Sequence, residues 1–324
     1  MGIVWVDRHQ PLATEYRGAV VTIGNFDGVH LGHAKLISTC CQLRDKLNSE
    51  VGISRKVKSL AITFNDHPMT LVSPENSPRK ITTFLQKCQY LLQFGVDSVM
   101  VLDIHEDWLS ISATDFCEQI LGDLFDVRGI VEGPNFRFGN RRIGDLKLLN
   151  EWSNQRRVPC LEVPSAICQD QIIISSSRIR QAIETGEVDI AAMMLGRSYE
   201  IRGKVVPGQK RGRTLGFPTA NLNDIETILP APGIYAVEVE WNGQFYRGAA
   251  NIGNNPTFSE KEMKVEIHLL DFSGDLYGQT VRVLWLKKIR DLITFPSKEA
   301  LIQQISSDIQ NIRAIIGKSR HSSS

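Results

Sequence analysis

VVTIGNFDGVHLGHAKL, residues 20–36, passes from an unbroken apolar run through a glycine-punctuated turn carrying two histidines, and then resumes with helical spacing. The apolar part reads as a buried strand. Gly24, Gly28 and Gly32 let the following backbone approach a ligand closely at a helix N-terminus, where unpaired N–H groups and the helix dipole favour an anion. Asn25 and Asp27 can add contacts in the turn. His30 and His33, three apart, project from the same side of the first helical turn toward that anion.

Outward from this turn, β-rich runs alternate with helical patterns as far as about residue 195. AVVTIG, SLAITF, DSVMVL and GIVEG are the strands, while AKLISTCCQLRDKL, TTFLQKCQYLLQFG, ATDFCEQILGDLF and GDLKLLNEWSNQR carry apolar residues at helical spacing. Such alternation predicts an α/β, Rossmann-like domain with a parallel sheet and helices on both faces.

Beyond residue 200 the period changes to two. In GIYAVEVEWNGQFYRGAANIG, Tyr235, Val237, Val239 and Trp241 share one face, and Asn242-Gly243 supplies a tight hairpin turn. KVEIHLLDF and TVRVLWLKKI add strands, so an antiparallel barrel or sandwich is expected. A terminal helix follows, with Leu301, Ile305, Ile309 and Ile312 as an apolar stripe suited to packing on the barrel. The expected division is residues 1–190, residues 191–316, and a disordered tail at 317–324.

Composition bounds the function. A chain of 324 residues exceeds what one core usually fills, which predicts two domains. A formal net charge of +1 gives no general attraction to nucleic acid or anionic membrane, so a small anionic metabolite is the better partner. IVWV is too short for a signal or membrane segment, no later run reaches about 18 uncharged apolar residues, and Val6 stands where myristoylation needs Ser or Thr. The cytoplasm is the expected setting. Six cysteines without a C-x-x-C pair argue against a zinc or redox motif and predict buried free thiols.

Taken alone, His-x-x-His is more often a capping or surface pair than a site, and no third metal ligand lies nearby in sequence. The strand, turn and helix context strengthens the functional reading. Neither G-x-G-x-x-G nor G-x-x-x-x-G-K-[ST] occurs, which excludes a dinucleotide fingerprint and a P-loop kinase.

GNFDGVHLGH resembles the H-x-G-H signature of the nucleotidylyltransferase superfamily, in the form found in bacterial bifunctional riboflavin kinase/FAD synthetases. TFNDHP, VEGPNFRFG, ISSSRIR, GRTLGFPTANL, GIYAV, ANIGNNPTF and VEIHLLDFSGDLYG follow in the family's order, extending the resemblance over residues 18–312. It implies phosphorylation of riboflavin to FMN, then transfer of the AMP part of ATP to FMN with release of pyrophosphate. Flavin-requiring apoproteins would accept the FAD. In the first domain His30 and His33 would hold the ATP phosphates, and the backbone of Gly24, Asn25, Phe26, Asp27 and Gly28 would line the site.

The same resemblance gives further candidates. Ser176 and Ser177 open a helix, where hydroxyl and N–H groups bind phosphate, and Arg178 adds a cationic fork; their ordinary alternative is an N-cap and a solvated arginine. The family usually has Thr at position 177. Asn135 and Arg137 match positions lining the nucleotide and flavin pocket, whereas Phe136 and Phe138 fit a core equally well. His67 matches a binding residue, although Asn65 and Asp66 replace the commoner Glu-Pro.

In the second domain Thr219 and Asn221 lie two apart, so an extended chain presents their oxygens on one face, suited to Mg²⁺ on ATP phosphates. Pro218 alone would mark only an edge strand. Gly208, Lys210 and Gly212 of the preceding cationic loop would cover the phosphates. Val265, Ile267 and Leu269 face one way and Glu266 and His268 the other; a solvated carboxylate is the default, and the resemblance makes Glu266 the catalytic base. Arg290 matches a flavin-loop arginine, but DLITFPSKEA departs from the acidic, lysine-rich family version. An OB-like nucleic-acid module lacks a clear basic, aromatic groove, and a flavin carrier without catalysis leaves the assembled polar set unexplained.

Overall fold

A computed structural model describes residues 2–50, 56–168, 172–208, 212, 215–254 and 263–319. Two compact units divide the chain, Met1–Ser176 and Ser177–Ser324.

The first unit is a six-stranded sheet of β1 (Gly2–Val6), β2 (Val20–Ile23), β3 (Ser59–Phe64), β4 (Ser98–Leu102), β5 (Gly129–Glu132) and β6 (Cys160–Glu162). Every pairing is parallel, in the order β1-β4-β3-β2-β5-β6. Strand residues alternate between two cores, as the period of two requires. Leu60, Ile62, Met100 and Leu102 join the cluster beneath α3 (Phe116–Leu124) and α4 (Leu146–Gln155). Ala61, Val99 and Val101 face the opposite way, toward Ile37 of α1 (Leu31–Ser49) and Cys88 and Leu91 of α2 (Phe84–Gln93). Helices therefore cover both faces. The α3 turns are π-type, with Phe125 N–H donating to the Ile120 carbonyl.

This topology fixes the site. The chain moves from β2 toward β3 and β4 on one side and then returns to place β5 on the other, so β2 and β5 flank a topological switch point. Their ladder covers only Val20 with Gly129 and Val21 with Ile130. Ile23 N–H instead donates to the Glu132 side chain at 2.6 Å, so a side chain replaces the ladder at the carboxyl ends.

From Ser177 onward α5 (Ser176–Thr185) belongs to the second unit, together with α6 (Val188–Leu195). The reason is packing: Ala231 N–H donates to the Ile183 carbonyl, and a Cβ on Gly186 would stand 2.7 Å from the Tyr235 hydroxyl. β7 (Tyr199–Val206), β8 (Ala220–Asn223), β9 (Gly233–Trp241), β10 (Gln244–Asn254), β11 (Met263–Leu269) and β12 (Thr280–Arg290) close an antiparallel barrel, ordered β10-β11-β8-β7-β12-β9. Tyr235, Val237, Val239, Val283 and Trp285 fill it. Asn242 and Gly243 both take positive φ, +51° and +75°, as a primed hairpin turn requires.

Along α7 (Lys298–Ser319), Ile309 and Ile312 pack on Ala236, Ala249, Leu270, Leu286 and Ile289 on the outside of the barrel. Residues 317–319 of the expected disordered tail are helical, and 320–324 lie outside the described residues. The cysteines are free, but only Cys40, Cys88 and Cys117 are buried; Cys41, Cys160 and Cys168 are half-buried, a correction to the expectation. Among the described residues no helix is long and apolar enough to cross a membrane.

Candidate functional site

The opening turn lies at the carboxyl end of β2 and is held from several directions. Phe26, Gly28 and Val29 have φ of +51°, +81° and +39°, a costly set because two of them carry Cβ atoms. Burial offsets this strain: Phe26 and Val29 join the core with Ile37 and Val99. Gly24 has a local role as well, since a Cβ there would come within 3.3 Å of the Phe26 ring.

The Asp27 carboxylate turns inward. It accepts from Ile81 N–H at 3.0 Å, Thr82 N–H at 3.2 Å and the Thr82 hydroxyl at 3.3 Å, while Gly28 N–H donates to Thr82 Oγ1 at 3.1 Å. Ser176 donates its hydroxyl to the Asp27 carbonyl at 2.9 Å. The Asp27 carboxylate and the Ser176 hydroxyl thus fix the turn. Ser177 and Arg178 are exposed at the first turn of α5, in the second unit.

His30 and His33 form a reciprocal cap. His33 N–H donates to His30 Nδ1 and His30 N–H to His33 Nδ1, each at 3.3 Å, with the rings stacked at a centroid distance of 3.6 Å. The pair thus caps α1, the ordinary alternative for His-x-x-His, and the cap fixes which ring nitrogen of each histidine is engaged. An Nδ1 that accepts a backbone N–H leaves the neutral ring's proton on Nε2, so both rings are prepared as Nε2–H donors. Gly32 makes room, because a Cβ there would sit 3.0 Å from the His30 ring.

Beside the turn, Asn25, Asn65, Asp66, His67, Lys80, Phe84 and Lys87 line a cleft. His67 Nδ1 accepts from Met69 N–H at 3.1 Å, fixing the ring at the cleft wall. Asn65 accepts from Ile104 N–H and donates to Asp103, joining the ends of β3 and β4, and Asp66 pairs with Lys80 at 3.2 Å. Sequence reasoning passed over Lys87. It is buried, donates to the Phe64 carbonyl at 2.7 Å, and burial lowers its ammonium from 10.5 to about 8. A lysine within the apolar stripe of α2 is the signal that could have marked it. At the end of β5, burial holds the Glu132 carboxyl well above the usual carboxylate range. Asn135 and Arg137 are exposed on the loop after β5, whereas Phe138 is core.

The barrel assembles its candidates by register. Asn221 on β8 stands opposite Glu266 on β11, and Glu266 opposite Asn251 on β10. The row continues through Ile234 on β9 to Arg290 on β12. Leu222, Val265 and Ile267 point inward, so this row lies on the outer face. The glycines of the preceding loop press against the motif. A Cβ on Gly208 would stand 2.1 Å from Asn221 Nδ2, and one on Gly212 would stand 3.3 Å from Thr219 Oγ1. Lys210 lies outside the described residues. His268 Nδ1 is 2.8 Å from the Pro218 carbonyl and secures the turn that presents Thr219.

Arg290 is anchored on the terminal helix. Asp308 of α7 receives its guanidinium on both oxygens, at 2.8–3.2 Å, because that carboxylate is buried and needs a cation. Thr219 and Asn221 carry oxygen donors of the kind that suit a hard cation such as Mg²⁺.

A family model described as FAD synthetase matches residues 12–178, and one described as riboflavin kinase matches residues 195–316. The chain is 36% identical over 299 residues to the bifunctional riboflavin kinase/FMN adenylyltransferase of Buchnera aphidicola subsp. Schizaphis graminum (strain Sg), covering 91% of this chain and 93% of the relative. Its identity to the protein of that description in Bacillus subtilis (strain 168) is 36% over 307 residues, covering 93% and 94%. A crystal structure described as a macrolide-efflux protein from Streptococcus pneumoniae superposes with a TM-score of 0.85 at 31% identity, covering 96% and 98% of the two chains.

Proposed function

The chain belongs to the bifunctional riboflavin kinase/FMN adenylyltransferase family, and we propose that its two reactions divide between residues 1–190 and residues 191–316. The enzyme phosphorylates riboflavin to FMN with ATP and adenylylates FMN to FAD with release of pyrophosphate. The adenylyl transfer belongs to the first region: a phosphate oxygen of FMN attacks the α-phosphorus of ATP, and the bond to pyrophosphate breaks. His30 and His33 stabilise the added charge through Nε2–H, with backbone from Gly24 to Gly28 lining the site. His67, Asn135, Arg137, Ser177 and Arg178 complete the binding set. The reciprocal cap supports this reading because it fixes both donors before substrate arrives, and preorganised donors carry most of such catalysis.

In the second region Glu266 takes the proton from riboflavin's terminal hydroxyl as that oxygen attacks the γ-phosphorus and ADP leaves. Thr219 and Asn221 would hold Mg²⁺ brought with ATP, which offsets phosphate charge, and Gly208, Lys210 and Gly212 cover the phosphates. The observation that carries the assignment is the register that sets Glu266 directly beside Asn221. Arg290 acts here by tying the start of the loop after β12 to α7. The setting of both reactions is the cytoplasm, and FAD passes to flavin-requiring apoproteins.

The test separates the activities by substrate. With FMN and MgATP, His30→Ala and His33→Ala should lower FAD formation at least about a hundredfold, the scale of a lost transition-state donor, while FMN formation from riboflavin persists. Glu266→Gln should do the reverse, lowering turnover of riboflavin by about two orders of magnitude. Equal loss of both activities in a folded histidine variant, or normal riboflavin phosphorylation by Glu266→Gln, would reject the assignment.

A further inference from the structure

On the row Asn251–Glu266–Asn221, one residue has no part in the chemistry above. The three belong to adjacent strands, so neighbours stand about 4.8 Å apart on the same outer face. Glu266 is thus flanked by two amides, with Asn221 on the side given to ATP and Asn251 on the other. Two strand spacings separate Asn251 from Asn221, too far to share a cation whose bonds are about 2.1 Å long.

The Asn251 side-chain oxygen is buried and has no hydrogen-bond partner among the described residues, an arrangement that costs about 1–3 kcal/mol unless a donor arrives. An ionised Glu266 cannot be that donor, because a carboxylate only accepts. On the same face of β10, a Cβ at Gly253 would lie 3.7 Å from this oxygen and 3.0 Å from Leu292 Cδ1. The segment after β12 therefore approaches this end of β10, and Leu292 remains 44% exposed. Along the row the surface passes from Asn221 and Glu266, through the orphan acceptor, to the apolar Ile234. Riboflavin has the same order: a reacting hydroxyl, a polyol chain and an aromatic ring system.

We propose that Asn251 is a substrate-binding residue of the kinase reaction, its Oδ1 accepting a hydrogen bond from the ribityl 4′-hydroxyl, next to the 5′-hydroxyl that Glu266 deprotonates. The assignment rests on Glu266 acting as the base. It differs from that role in its readout, since the base governs turnover and Asn251 governs riboflavin affinity.

The experiment measures KM and kcat of the full chain for riboflavin and for 4′-deoxyriboflavin, which keeps the reacting hydroxyl. Asn251→Ala should raise KM for riboflavin about tenfold, the equivalent of one lost hydrogen bond, with KM for MgATP and adenylylation of supplied FMN unchanged. Wild type should show a similar tenfold rise with 4′-deoxyriboflavin, and the variant should bind the two flavins equally. A wild type indifferent to the 4′-hydroxyl overturns the proposal without reference to any variant. It is also overturned if Asn251→Ala leaves KM for riboflavin unchanged, or raises KM for both flavins by the same factor, as a purely structural defect would. Failure of the base assignment shows separately, as normal kcat in Glu266→Gln.

Discussion

Asp308→Ala removes the carboxylate that anchors Arg290, and its cost can be worked from the contacts. Asp308 is 4% exposed and accepts from Arg290 Nε and Nη2 and from Gln304 Nε2, the last at 2.9 Å. An exposed ion pair contributes about 0–1 kcal/mol, whereas removing one partner of a buried pair costs about 3–5 kcal/mol because a charge is left behind. The Arg290 side chain retains 19% of its exposure, which lets water recover part of that loss. The expected destabilisation is therefore about 3 kcal/mol, more than a hundredfold in the folding constant. Hydrogen exchange in increasing urea, resolved by peptide, reads the barrel strands separately from β2 and β3. Protection should fall in β9, β12 and α7 and persist in the first unit. Arg290→Met with Asp308→Leu should recover most of the loss, since two apolar side chains need no partner. A cost below about 1 kcal/mol for Asp308→Ala, or a double variant no better than the single one, would refute the reasoning.

Two buried ionisable groups in the first unit make pH-dependent predictions of opposite sign. Lys87 has a folded value of about 8 against 10.5 unfolded, so the unfolded chain binds the extra proton between those limits and wild-type stability rises with pH across that window. Relative to Lys87→Met, which cannot titrate, wild type should gain roughly 3 kcal/mol between pH 8 and 10.5, measured by urea midpoints; a constant difference would contradict the burial argument. Glu132 has its folded value raised, so its favourable contribution is complete below the unfolded value of 4.5 and is lost as pH rises through the folded one. Glu132→Gln keeps an acceptor for Ile23 N–H without the charge, and thermal unfolding should show it gaining on wild type from pH 5 to 8; parallel curves would contradict this.

What the sequence disclosed, and what it hid, follows from the range of the forces involved. The central strands β2 to β5 are apolar on both faces and stand out as short runs, but β1 and β6 lie at the sheet edges. There Ile3 and Trp5 face solvent and the three residues Cys160–Glu162 carry little signal, so neither strand was legible. The histidine pair was legible because its spacing is local. Asn251 lies in the matched segment ANIGNNPTF, but its place beside Glu266 exists only through the pairing of β10 with β11 and so was not legible. Between these cases stand Lys87, Glu132 and Asp308, ionisable residues set inside apolar patterns. Asp308 falls on the stripe of Leu301, Ile305 and Ile312, where burial without a partner would cost several kcal/mol. A local pattern broken in that way requires compensation elsewhere, and here it is the Arg290 guanidinium. The family resemblance directed that arginine toward flavin, yet the charge inside the helix stripe already required a cation at its side. Physical reading of the stripe thus accounts for the ion pair that fixes Arg290, whose guanidinium at the same time lies over the ring of Phe295.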